Sequence, residues 1–107
     1  MTINEWAWII HQNAVEHGWW DEERSFGDIV ALCHSELSEA LEEYRSGRQM
    51  VYMGEAGKPE GIAVELADCM IRILDYLAHE DIDVESVMAM KHEYNTTRPY
   101  RHGGKAL

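Results

Sequence analysis

Basic residues are scarce in this chain: nine Lys and Arg stand against 20 Asp and Glu, a formal net charge of -11. Nucleic-acid backbones and anionic membranes attract clustered Lys and Arg, so this balance predicts neither a nucleic-acid nor a membrane partner. Cysteine is equally sparse, with Cys33 and Cys69 alone. Their spacing fits neither a zinc site nor a disulfide framework, and both fall within apolar helical patterns, which predicts reduced core thiols. No apolar run approaches the length of a membrane span, and no basic stretch followed by a long apolar run opens the sequence. The expected location is therefore cytoplasmic. Repeats, low-complexity tracts and long alternating patterns are also missing. What remains is 107 residues of ordinary apolar content, which predicts one packed domain over 1–107. With no alternating run to insist on a sheet, the helical patterns below make it all-α.

Helix boundaries can be read from caps and breakers. Thr2 and Glu5 form a capping-box pattern, and Gly18 marks the end of a first helix with Ile3, Trp6, Ile10 and Ala14 on its inward stripe. Ser25 and Asp28 open a second helix that runs to about Gly47. The stretch 46–61 holds four glycines and a proline and reads as a loop over a site. Pro59 suits the first turn of a third helix ending near His79. That helix is apolar around most of its circumference, leaving one polar row of Glu65, Asp68, Arg72, Asp75 and His79. Such a helix belongs at the centre of a domain or across a subunit interface, and for so short a chain it predicts a homo-oligomer, dimer or tetramer. A fourth helix opens at Asp83 and stops before Pro99.

The acids carry the chemistry. Glu36, Glu39 and Glu43 stand at i, i+3 and i+7, on the face that also carries Ile29, Leu32 and Ala40. Glu65 and Asp68 repeat this arrangement on the third helix. Carboxylates crowded beside apolar residues repel one another unless cations lie among them, and hard oxygen donors suit Mg²⁺. A solvated acidic face has the same spacing, so the pattern alone leaves both readings open. Lys91, Asn95 and Arg98 share one helical face, and Arg101 and Lys105 follow in the tail, giving an acidic chain a basic end. The tryptophans Trp6, Trp8, Trp19 and Trp20 predict packing, with base stacking as the functional option. Arg72 reads as a partner of Asp68 or Asp75 on its own helix.

SELSEALEE followed by PEGIAVELADCMIRILDYL resembles the MazG-like nucleotide pyrophosphohydrolases of the all-α NTP pyrophosphatase superfamily. That family is marked by an EExxE element and a later ExxD element on facing helices, matched here by Glu36 and Glu39 and by Glu65 and Asp68. KHEYNTTRPYRHGGK is similar to the C-terminal segment of small MazG-like proteins, so the resemblance spans roughly residues 25 to 105. Ser35 departs from the pattern, standing where the family has its first Glu. The resemblance implies a four-helix MazG-like bundle that oligomerises through apolar helices. It also implies hydrolysis of an NTP or dNTP to the monophosphate and pyrophosphate with Mg²⁺, for which Mn²⁺ can substitute. Carried onto this chain, Glu36, Glu39, Glu65 and Asp68 hold metal, with Glu39 the chosen general base and Glu36 beside it in the catalytic set. Lys91, Asn95, Arg98, Arg101 and Lys105 contact the nucleotide.

Two rivals make different demands. A carboxylate-bridged di-iron or di-manganese protein normally uses Glu-x-x-His ligands, and neither acidic pair here ends in His. A non-catalytic acidic interaction protein requires the acids to face outward.

Overall fold

Thr2 accepts a hydrogen bond from the Glu5 amide at 3.1 Å while the Glu5 carboxylate accepts from the Thr2 amide at 3.0 Å, so the capping box forms and starts α1, Ile3–Glu16. The computed structural model describes residues 1–107. Ser25 caps α2, Phe26–Arg45, through the Asp28 amide, and Asp83 caps α4, Val84–Thr96, through the Ser86 amide. Between them lies α3, Ile62–His79. A single irregular turn, α5, covers Arg101–Gly104. Sequence-read boundaries for α1, α2 and α4 thus hold to within a residue or two, because each rests on a local cap.

The start of α3 differs from expectation. Pro59 lies in a two-residue strand rather than in the helix: β1, Tyr52–Met53, pairs antiparallel with β2, Pro59–Glu60, in the register Tyr52↔Glu60 and Met53↔Pro59. The segment read as a loop therefore contains a small hairpin over 52–60, with a 3-10 turn at Glu55–Gly57 between its strands, while 46–51 has no regular structure. Gly61 turns the chain from β2 into α3 at φ 122°, and a Cβ there would sit 2.4 Å from the Met50 carbonyl. That close approach lets the Ile62 and Ala63 amides donate to the Gln49 and Met50 carbonyls, so the preceding loop satisfies the first turn of α3.

α3 is the central element, packed on one side by α2 and on the other by α1. Ala7, Leu74 and Val84 form the buried junction of α1, α3 and the start of α4, with Ile3, Ile10 and Leu77 around them. The inward stripe of α1 is thus centred on Ala7, and Trp6, expected inside, is half exposed. Ile29 and Ala40 from α2 and Cys69 from α3 are also buried. Beyond Val84, α4 is exposed through Thr97, so it projects from a three-helix body instead of closing a fourth side. No helix is long and apolar enough to cross a membrane.

Candidate metal centre

Interhelical pairing sets the register of the site. Arg72 Nε donates to Glu36 Oε1 at 2.8 Å, and the Glu39 carboxylate lies beside that of Glu65. As numbering rises along α2 it falls along α3, so the two helices run antiparallel and their acidic rows face each other. Glu36, Glu65 and Asp68 each place a ligand oxygen within 4.8 Å of the others. Glu36 is buried at 8% exposure, while Glu65 and Asp68 are half-buried.

The electrostatics of this cluster are unfavourable without a cation. Burial and the neighbouring carboxylates of Glu39, Asp68 and Glu36 push the Glu65 pKa up to about 7. Burial and the Glu36 charge raise Asp68 as well, opposed by the positive charges of Arg72 and Lys58. A divalent cation would remove this repulsion, and the donors are all hard oxygens, which fits Mg²⁺ chemistry. One oxygen of Glu36 is engaged by Arg72, leaving the other free for an ion. Arg72 therefore bridges to α2 and not, as expected, to an acid of its own helix. No histidine joins the triad, which removes the usual ligand of a di-iron bundle. The burial of Glu36 runs against an outward-facing acidic adaptor.

Glu39 stands outside the triad. It is exposed and lines a neighbouring acidic hollow with Glu43, Glu60 and Glu65. There the Tyr52 hydroxyl donates to Glu43 at 3.0 Å, tying the hairpin to the end of α2. Ser35, at the departure from the family pattern, is exposed on α2.

A cavity of about 560 Å³ lies between α1, α2 and α3 and includes two of the triad, Glu36 and Asp68, in its lining. Glu36, Asp68 and Arg72 line one part of it, with Ile10, Ile29, Leu32 and Tyr76 among the apolar walls. Trp19, Trp20 and Arg24 from the α1–α2 connection also line it, together with Asp75 of α3. Arg24 is held by donation from Nε to the Trp19 carbonyl at 2.7 Å, and its guanidinium lies 4.9 Å over the Trp19 ring.

Asp75 anchors a network that sequence reasoning did not assemble. Its Oδ1 takes hydrogen bonds from His11 Nδ1 at 2.7 Å and Trp20 Nε1 at 3.0 Å. The Trp20 ring stacks on His79 with centroids 3.8 Å apart. Trp20 is a packing residue on the cavity wall, and Trp19 presents a half-exposed face to the same space. Trp6 and Trp8 are exposed on α1. The two cysteines are free, with Cys33 facing Cys69, and burial raises the Cys33 thiol pKa.

None of Lys91, Asn95, Arg98, Arg101 and Lys105 lines the cavity or pairs with a carboxylate of its own chain. Lys91 and Arg98 instead lie over the Tyr94 ring. The cations nearest the triad are Arg72 and Lys58, and Lys58 was not singled out from the sequence. Only the fold of the hairpin brings Lys58 to Asp68. Comparison with protein-family models, curated proteins and solved structures finds no match.

Proposed function

We propose that this chain is a Mg²⁺-dependent nucleoside triphosphate pyrophosphohydrolase of the MazG-like kind, acting in the cytoplasm. The observation that carries the reading is the carboxylate triad on two antiparallel helices, two members of which, Glu36 and Asp68, line an apolar-walled cavity. Glu36, Glu65 and Asp68 would hold the ion, with Glu39 a fourth carboxylate beside Glu65. Bound there, Mg²⁺ (or Mn²⁺) would neutralise triphosphate charge and acidify the water that attacks the α-phosphorus, with pyrophosphate leaving. Glu39, exposed beside Glu65 and outside the triad, is the residue to take the proton from that water.

Arg72 and Lys58 add positive charge where phosphates would lie. Arg72 also fixes Glu36, which orients one ligand before any ion binds. The nucleoside would occupy the apolar cavity. The basic residues of α4 and the tail do not line that cavity. Contact between them and a phosphate would therefore be made across copies of the chain, in a homo-oligomer joined through apolar helix faces.

The test is a panel of NTPs and dNTPs with Mg²⁺, scored for pyrophosphate against orthophosphate. Pyrophosphate is expected, and Glu36→Gln should lower its release at least about 100-fold by removing a metal ligand. Orthophosphate as the product, or full activity in the variant, would overturn the assignment.

A further inference from the structure

Asp75 is a cavity-lining carboxylate that the proposed hydrolysis leaves without a task. It sits seven residues from Asp68, and with Arg72 the three occupy i, i+4 and i+7 on one face of α3. Two helical turns separate Asp75 from Asp68 of the triad, about 10 Å at the α-helical rise. That span is comparable to the reach of a nucleotide from its α-phosphate to the edge of its base. With the α-phosphate at the triad, the base would lie among Trp19, Trp20, Tyr76, Arg24 and Asn13, all at the cavity surface with Asp75.

The carboxylate is held firmly. Trp20 Nε1 can only donate, so Asp75 is an acceptor in this contact, and His11 Nδ1 donates to the same Oδ1. Trp20 is also 3.2 Å from Oδ2, a longer contact that leaves most of the acceptor capacity of this second oxygen unused. The Asp75 side chain is 19% exposed and lines the cavity, so a ligand there can use the acceptor capacity that Oδ2 retains. It presents an acceptor and no donor. Around it, the guanidinium Nη groups of Arg24 and the Asn13 amide can supply donors, with Arg24 already fixed through Nε.

We propose that Asp75 is a specificity-determining residue that selects nucleotides whose base carries an exocyclic amine. This assignment rests on the nucleotide reading of the site. An amine of a cytosine or adenine edge donates to Oδ2, while Arg24 or Asn13 donates to the adjacent ring nitrogen. In the pose that seats a cytosine edge, uracil or thymine turns O4 toward the same carboxylate, which repels it, and its N3–H toward the Arg24 and Asn13 donors. A polar site built for an N–H donor discriminates strongly against an analogue without it, and partial exposure moderates the effect here to at least about tenfold. The same network gives Asp75→Asn a definite outcome. His11 and Trp20 would keep the amide oxygen as their acceptor, leaving the NH₂ group in the place of Oδ2 and exchanging an acceptor for a donor.

Calorimetric titration of dCMP and dUMP into the protein with Mg²⁺ reads base recognition without hydrolysis, since a monophosphate has no anhydride bond to cleave. Unsubstituted protein should bind dCMP at least about tenfold tighter than dUMP. Asp75→Asn, checked for native melting, should erase or invert that ratio. Equal affinities for the two in unsubstituted protein, or binding of neither, overturn the proposal without recourse to any variant. A preference that survives Asp75→Asn also overturns it. The parallel pyrophosphate assay on dCTP and dUTP separates the two readings. Pyrophosphate released equally from both, with equal monophosphate binding, removes the role of Asp75 and leaves the hydrolase. A dCMP preference in a protein that releases no pyrophosphate leaves the base site and removes the hydrolase.

Discussion

Glu65 is where the tension in this site is greatest. Its carboxyl is raised to about 7, first by burial and then by Glu39, Asp68 and Glu36. In the unfolded chain the same group titrates near the ordinary glutamate value of 4.5. Between these values the native state binds the extra proton, so stability from this group is complete below 4.5 and is lost as pH rises through about 7. In EDTA the melting temperature should therefore fall between pH 5 and 8, and saturating Mg²⁺ should reverse the fall by replacing the proton. Glu65→Gln should flatten the EDTA profile. Differential scanning fluorimetry across that pH range is sufficient, and a profile unaffected by both Mg²⁺ and Glu65→Gln would show that the carboxylates do not share an ion.

At the scale of elements, the hairpin before α3 fixes where the site's second helix begins. Gly61 adopts φ 122°, and a side chain there would overlap the Met50 carbonyl. Gly61→Ala should cost at least about 2 kcal/mol, since both backbone strain and displacement of the loop are involved. Gly57 is a fair control, because it also has positive φ but open space around its Cα. Gly57→Ala should cost only about 1 kcal/mol, the strain of the left-handed region alone. Urea denaturation measures both. Glu65 lies one turn beyond Gly61, its amide bonded to the Gly61 carbonyl at 3.0 Å, so Mg²⁺ affinity should weaken in the first variant and persist in the second. Equal costs for the two substitutions would show that the Met50 contact does not define the start of α3.

Across the whole molecule, the core is small for the length. Eight of 107 residues are buried, and the radius of gyration is 16.5 Å. A compact chain of this length is expected near 13 Å. Apolar rows stand exposed at Leu37, Leu41 and Tyr44 on α2 and at Leu66, Met70 and Ile73 on α3. Much of the apolar surface that would stabilise a domain of this size is thus left for another surface to cover. Sedimentation should give a mass of at least twice 12.4 kDa at micromolar concentration. The double substitution Leu41→Glu with Met70→Glu should shift it toward the monomer. A monomeric unsubstituted protein would remove the oligomer from the proposal and leave α4 without a route to a nucleotide.

Along the chain, local physics was enough to specify a good deal. Caps at Thr2, Ser25 and Asp83 placed three helix starts, because a side chain and an amide three residues away form a complete signal. Helical periodicity put Glu36 with Glu39, and Glu65 with Asp68, on apolar faces, and the all-α class followed from the same periods. Pairings across long separations were decided only in three dimensions. Arg72 had two acids within one turn of its own helix, yet it bonds Glu36, 36 residues away. Asp75 meets His11 and Trp20, and no local pattern relates positions 64 and 55 residues apart. Glu39, equivalent to Glu36 by spacing, lies outside the triad, since helix rotation against α3 distinguishes residues that periodicity does not. Pro59 read as a helix start, but the Gly61 approach to Met50 set that boundary from outside the helix. Periodicity along one chain fixes which residues share a face; only the packing of one face on another fixes which of them meet.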